Sequence, residues 1–202
     1  MGSDAIPRCA RCPEKQCSDG KDCFGAADRH RPLYDDPLIR ELHRAATAIE
    51  GRHYLEATRL EEVILFGREI GAERVGLVFC VGLSEEARVI DKILGRHFDV
   101  VSVCCKVCGI DKADLELEQI EEGRRESICN SAGQAELLND AGTDLNVICG
   151  LCVGHDSVFA MSSKAPVTTL IAKDRVLAHN PVGAIYCQYL RRRFEGDVGG
   201  GS

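Results

Sequence analysis

Val101-Ser-Val-Cys-Cys-Lys-Val-Cys-Gly109 decides how the chain folds. Val100, Val101 and Val103 are β-branched, and the run is short and apolar, which reads as a buried strand. The strand runs out into three thiols, Cys104, Cys105 and Cys108, and Gly109 lets the backbone turn. Cys105-x-x-Cys108 is a metal-ligand or dithiol spacing, and Cys104 adds a third sulfur that a plain redox dithiol does not need.

The segments on either side have the same form. Upstream, Val75-Gly-Leu-Val-Phe-Cys80 is a second buried strand, followed by Ser84 as an N-cap and Glu85-Glu86 in the first turn of a helix to about His97. Strand, short loop, helix and strand make a parallel βαβ unit. Downstream, Leu115 to Arg125 is polar and expected to be helical. Asn130 or Ser131 caps a helix that passes Leu138 and ends at Gly142. Leu145 to Cys149 is a third strand, Gly150-Leu-Cys-Val-Gly-His-Asp156 leads into a helix to about Ser163, and Pro166 to Ala172 is a fourth strand. Val176 to Ala178 adds a short edge strand, and Asn180-Pro181 opens a last helix to about Phe194. Earlier, Asp36-Pro37 starts one helix, and a second after Gly51 carries Leu60, Val63 and Ile64 and stops at Gly71. The expected fold is α/β, a mostly parallel, doubly wound, Rossmann-like sheet of four to five strands.

In such sheets ligands sit beyond the carboxyl ends of the strands. Cys80 ends the first strand, Cys104, Cys105 and Cys108 the second, and Cys149 and Cys152 the third, so separate segments aim thiols at one rim. Cys187 falls inside the last helix and reads as packed. His43 and His53 read as surface or packing histidines.

The chain has 202 residues, 12 of them cysteine, and a net charge of −7. That charge argues against a general nucleic-acid binder, and Arg191-Arg192-Arg193 reads as a helix C-terminal turn. No apolar run approaches the roughly 20 residues of a membrane span, and no basic-then-apolar leader opens the sequence. The setting expected is therefore the cytoplasm, where dense thiols read as metal binding or catalysis rather than disulfides.

Cys9-x2-Cys12-x4-Cys17-x5-Cys23 lies in turn chemistry with almost nothing apolar to pack, so a metal held by four thiolates would be what orders it. Zinc and a cubane iron–sulfur cluster both accept four cysteines. The expected layout is a metal-binding segment over residues 1–32, an α/β domain over 33–196 and a patternless tail over 197–202; Met1-Gly2-Ser3 is equally patternless.

Several segments together resemble a family of uncharacterised cysteine-rich metal-binding proteins of anaerobic bacteria and archaea, a domain of unknown function. They are Arg59-Leu-Glu-Glu62, Phe79-Cys-Val-Gly-Leu-Ser-Glu-Glu86, Ser102-Val-Cys-Cys-Lys-Val-Cys-Gly-Ile-Asp111, Cys129-Asn130 with Gly133-Gln134, Gly150 to Asp156, and Ala165-Pro-Val-Thr-Thr169 through Lys173-Asp-Arg175 to His179-Asn-Pro181, with the N-terminal cysteines. The resemblance implies metal binding in an anaerobe and names no reaction. Cys149 and Cys187 fall outside its motifs.

Six thiols on those motifs, Cys80, Cys104, Cys105, Cys108, Cys129 and Cys152, exceed what one zinc ion uses and favour an iron–sulfur cluster, 4Fe–4S or larger. Cys80, Cys105, Cys108, Cys129 and Cys152 are the expected metal ligands of the core, beside Cys9, Cys12, Cys17 and Cys23, where zinc is the alternative. Cys104, Cys105 and His155 are the candidate catalytic groups, with Asp156 placed to orient His155 or to favour the helix start; His179 is a weaker candidate. No Gly-x-Gly-x-x-Gly or phosphate loop is present, so nucleotide binding has no support. The function expected is a redox protein, in electron transfer or reduction of a small substrate, working with a redox partner protein or a small molecule, and with a homodimer as the assembly considered. The alternatives are a zinc-stabilised binding or regulatory module, and thiol-based sulfur or metal delivery with Cys105 and Cys108 as the reactive pair.

Overall fold

Residues 6–195 are described by the structure, a computed structural model. The expected tail at 197–202 and Met1-Gly2-Ser3 lie outside them. The chain divides into two compact units between Tyr54 and Leu55, beyond the expected boundary at residue 32.

In the first unit two 3-10 turns, Cys9–Arg11 and Gln16–Asp19, carry Cys9 and Cys17 of the cysteine segment. A single turn, α1 (Ala27–His30), and a 3-10 stretch lead to α2 (Pro37–His53). Asp36 caps α2 by accepting from the Ile39 N–H at 3.0 Å, with Pro37 at the first helical position, as its sequence predicts. The helix runs on through Gly51 rather than stopping there.

The second unit opens with α3 (Arg59–Glu69), set by a capping box: Glu61 Oε2 accepts from the Thr58 N–H at 2.7 Å, while Thr58 Oγ1 accepts from the Glu61 N–H at 3.4 Å. Then follow β1 (Arg74–Phe79), α4 (Ser84–Leu94), β2 (Asp99–Cys104), α5 (Ser131–Ala141), β3 (Leu145–Cys149), α6 (His155–Ser162) and β4 (Val167–Ile171). Two short helices close the described chain, α7 (Gly183–Tyr186) and α8 (Gln188–Glu195).

The four strands are all parallel, in the order β2-β1-β3-β4. β1 and β3 are central, and all five residues of β3 are buried, as expected for strands covered on both faces. α4 turns Ala87, Ile90 and Leu94 inward at helical spacing. α5 is capped by Asn130, whose Oδ1 accepts from the Gly133 N–H at 3.0 Å, and ends on Gly142 in the left-handed region. Right-handed crossovers put α4 on one face and α5 and α6 together on the other. The core draws its residues from Leu60 to Ile171, all within this unit.

Four expectations are corrected. Leu115 to Arg125 is not a helix: apart from a 3-10 turn at Ala113–Leu115 it is bends and turns, with Glu116 at φ +53°. It has no apolar stripe to bury, and helical propensity alone does not hold a short helix in water. Val176 to Ala178 is a turn, not a strand, closed by Asp174 Oδ1 accepting from the N–H groups of Val176 and Leu177, so the sheet has four strands. The last helix breaks at Cys187, which is extended and exposed rather than packed. Ser84 starts α4 without capping it; its hydroxyl donates to the Val81 carbonyl at 2.6 Å.

Candidate functional site

The strand order puts a crevice where thiols were expected. From β1 the chain leaves through α4 toward β2; from β3 it leaves through α6 in the opposite direction toward β4. Between the carboxyl ends of β1 and β3 the sheet therefore has its switch point, the usual ligand position of a doubly wound fold. Register ties the rim together: Phe79 pairs with Cys104 on one side and with Cys149 on the other. Beyond that row the Cys105 N–H donates to the Phe79 carbonyl at 2.8 Å and the Cys80 N–H to the Cys149 carbonyl at 3.3 Å.

A cleft of about 560 Å³ opens there. Its floor is lined by Cys80, Cys105, Cys129, Cys152, Leu151 and His155. Four segments supply these thiols: the ends of β1 and β2, the loop before α5, and the loop after β3. Gly150, at φ +69°, makes the turn that carries β3 into this floor; a Cβ there would lie 2.9 Å from Leu83.

Every floor thiol has a donor beside it. The Val81 N–H donates to Cys105 Sγ at 3.3 Å, Lys173 Nζ to Cys80 Sγ at 3.1 Å, Lys106 Nζ to Cys129 Sγ at 3.6 Å, and Arg175 to Cys152 Sγ at 2.9 Å. Burial raises the Cys80 thiol, but the Gly82 N–H and the Lys173 ammonium outweigh it and hold the thiol below its ordinary value. Cys105 and Cys129, which share this floor, shift one another: Cys129 and burial push the Cys105 thiol up, and Cys105, then Lys106 and His155, bring the Cys129 thiol down to about 5. Gly82 leaves room for Lys173, whose Nζ a Cβ would meet at 3.3 Å.

His155 reaches the floor as the first residue of α6, and its Nδ1 is buried with no hydrogen-bond partner. Asp156 does not orient it: its Oδ1 accepts from the Gly154 and Ser157 N–H groups and holds the helix start.

Other expected site residues lie elsewhere. Cys104 packs against the core, Cys149 is wholly buried with its thiol pushed up to about 11 by that burial, and Cys108 is exposed in the left-handed region at φ +66°. None of the three lines the cleft. Of the Cys105–Cys108 pair expected from spacing, Cys105 lines the cleft and Cys108 does not, while Cys129 lines the floor with Cys105. His179 serves the turn after β4, its Nδ1 accepting from the Asp174 N–H at 3.1 Å. Cys9, Cys12, Cys17 and Cys23 are all exposed in the first unit. There the N–H groups of Lys15 and Glu14 lower the Cys12 thiol, and Lys15 Nζ donates to the carbonyls of Cys9 and Cys12. Among the described residues no three Cys, His, Asp or Glu side chains are drawn together as tightly as a single metal ion requires.

The cations beside the sulfurs were not found from sequence. Lys106 sits among the cysteines after β2, and Lys173 and Arg175 in the turn after β4, where charge reads as ordinary turn chemistry. The available signal was position: Lys173 and Arg175 directly follow β4, and so belong to the same rim as the thiols.

The model of the family described as "Protein of unknown function (DUF1847)" matches residues 20–170, which take in every cysteine from Cys23 to Cys152. The chain belongs to this family. An uncharacterised protein of Methanocaldococcus jannaschii is 47% identical over 193 residues, covering 94% of this chain and 99% of the relative. The family thus includes an archaeal member, in keeping with the resemblance read from the motifs. No solved structure matches the chain. Among the described residues no helix is long and apolar enough to cross a membrane.

Proposed function

We propose that the cleft is the site of a cysteine-ligated iron–sulfur cluster and that the protein is a redox protein, passing electrons to a partner or to a small substrate. The observation that carries this reading is the floor itself: four thiols from four segments, each with its own N–H or cationic donor, at the switch point of the sheet. Four thiolates are the ligand set such a cluster takes, and its inorganic core is wider than one ion, so the ligands stand around a floor rather than about a point. Cys80, Cys105, Cys129 and Cys152 would hold it; bound there, it supplies one-electron chemistry. The chain's own part is electrostatic. Lys173 and Lys106 lower the Cys80 and Cys129 thiols, and with Arg175 and the Val81 N–H they would raise the reduction potential by favouring added negative charge. Cys9, Cys12, Cys17 and Cys23 form a second candidate set, for zinc or a cluster.

Dithiol chemistry is a second reading, favoured by the shared place of Cys105 and Cys129 on the floor and by the shift each causes in the other's thiol. Joining these sulfurs, with Cys129 attacking as the thiolate, would pass two electrons and the Cys105 proton to a disulfide oxidant, which leaves as one thiol and one thiolate.

Anaerobically prepared protein is expected to be coloured, to contain iron and acid-labile sulfide, to bleach with dithionite and to give a paramagnetic signal in one of its two states. Serine at Cys80, Cys105, Cys129 or Cys152 should cut the cleft's iron, whereas Cys108→Ser and Cys187→Ser should not. Colourless, iron-free protein loaded with zinc would defeat the cluster. A reversible Cys105–Cys129 disulfide in metal-free protein would install the second reading.

A further inference from the structure

We propose that the cleft binds a small oxyanion as substrate, with Lys173 and Arg175 taking its charge and His155 its hydrogen bond. This deepens the reading of the cleft as a redox site by naming the class of molecule that enters it.

Charge is the first ground. The whole chain carries −7, yet the cleft is lined by Lys106, Lys112, Lys173 and Arg175 against only Glu118 and Glu126. Lys112 is already paired, to Glu126 at 2.7 Å. Lys106, Lys173 and Arg175 have no carboxylate partner among the described residues. Cations thus outnumber carboxylates around this concave site, and such an excess focuses the field on negatively charged ligands.

Unused donors are the second ground. Arg175 gives one N–H to Cys152, which leaves four of the five on its planar fork. Lys173 gives one of three, to Cys80. Both come from the segment after β4, two residues apart, and both line the same opening. A guanidinium fork with free N–H groups matches the paired oxygens of a carboxylate or an inorganic oxyanion.

His155 is the third. A buried ring nitrogen without a partner is costly, and the protein offers it none. Its partner has to come from what the cleft contains. The volume of about 560 Å³ suits a small molecule, and Val81, Leu117 and Ile120 give the open walls an apolar share.

Calorimetry on the full chain, prepared without oxygen, tests this. Sodium sulfate, sodium phosphate and sodium formate are titrated separately at constant ionic strength against a chloride blank, and iron and sulfide are assayed on the same samples. Saturable binding of at least one of the three is expected. Arg175→Gln and Lys173→Gln should each weaken it by about tenfold or more, as loss of a charge-assisted hydrogen bond does. Lys92→Gln, on α4 and outside the cleft, should bind as the parent does, and the anion that saturates names the oxyanion class. No saturable binding by any of the three overturns the proposal. So does unchanged binding in both cleft variants, or loss of iron from Arg175→Gln in parallel with binding, since the guanidinium would then serve the metal. The titration runs equally on iron-free protein, so the iron assay and the binding curve fail independently.

Discussion

Gly76 shows how closely the centre of the sheet is fitted. It pairs with Asn146 across β1 and β3, and a Cβ on it would lie 2.1 Å from Asn146 Oδ1 and 2.5 Å from Leu138 Cδ1. Neither neighbour can retreat: Asn146 and Leu138 are wholly buried, and Asn146 Nδ2 donates to Ser163 Oγ at 2.8 Å. Gly76→Ala should therefore destabilise the second unit by about 1–3 kcal/mol, the usual cost of forcing atoms into a filled core. A lowered urea midpoint with unchanged slope would show it; an unchanged midpoint would mean that β3 shifts freely. Individual thiols were legible in the sequence because cysteine at the end of a β-branched run stands out, and four of the six motif thiols do line the floor. Cys104 and Cys108 do not, for a local reason: neighbouring residues in a strand alternate faces, so Cys104 and Cys105 cannot both enter the cleft, and Cys108 follows in a left-handed turn.

Between β2 and α5 the chain makes the excursion whose polar sequence promises a helix and gives none. Its neck is closed by backbone bonds, Lys112 N–H to the Glu126 carbonyl at 2.9 Å and Ile128 N–H to the Ile110 carbonyl at 2.9 Å. Glu126 locks it, one carboxylate oxygen on Lys112 Nζ at 2.7 Å and the other accepting from the Ile120 N–H at 2.8 Å. These polar side chains satisfy the backbone locally, which a periodicity reading cannot detect. The bond to Lys112, then that from Ile120, holds the Glu126 carboxyl below its ordinary value. A carboxyl depressed in the folded state stabilises the neck above its unfolded value, and that contribution disappears as pH falls through the folded one. Glu126→Gln at neutral pH, and acidification of the parent protein, should both speed hydrogen exchange at the Ile120 amide while leaving β1 and β3 protected. Equal protection of Ile120 in parent and variant would mean that the carboxylate does not hold this segment.

Strand order organises the site, and it could not be read from the chain. Alternating apolar runs and helices give a parallel sheet, but β2-β1-β3-β4 depends on which way each crossover turns, and no local pattern records that. Only that order brings the ends of β1 and β3 together at the switch point, with Lys173 and Arg175 arriving from β4 beside them. The same architecture bears on what the second unit needs. Its core runs from Leu60 to Ile171, its sheet is complete from Arg74, and every residue lining the cleft lies from Cys80 to Arg175. The first unit contributes four exposed thiols and α2, and no strand among its described residues. A chain beginning at Leu55 should therefore retain the secondary structure expected of the four-stranded α/β unit, unfold in one cooperative transition and keep the cleft's metal, while losing whatever Cys9, Cys12, Cys17 and Cys23 hold. Circular dichroism, a urea transition and metal analysis of the shortened chain are the measurements. If it is unfolded, or folded but stripped of all metal, the cleft is not self-sufficient and the N-terminal thiols belong to its chemistry.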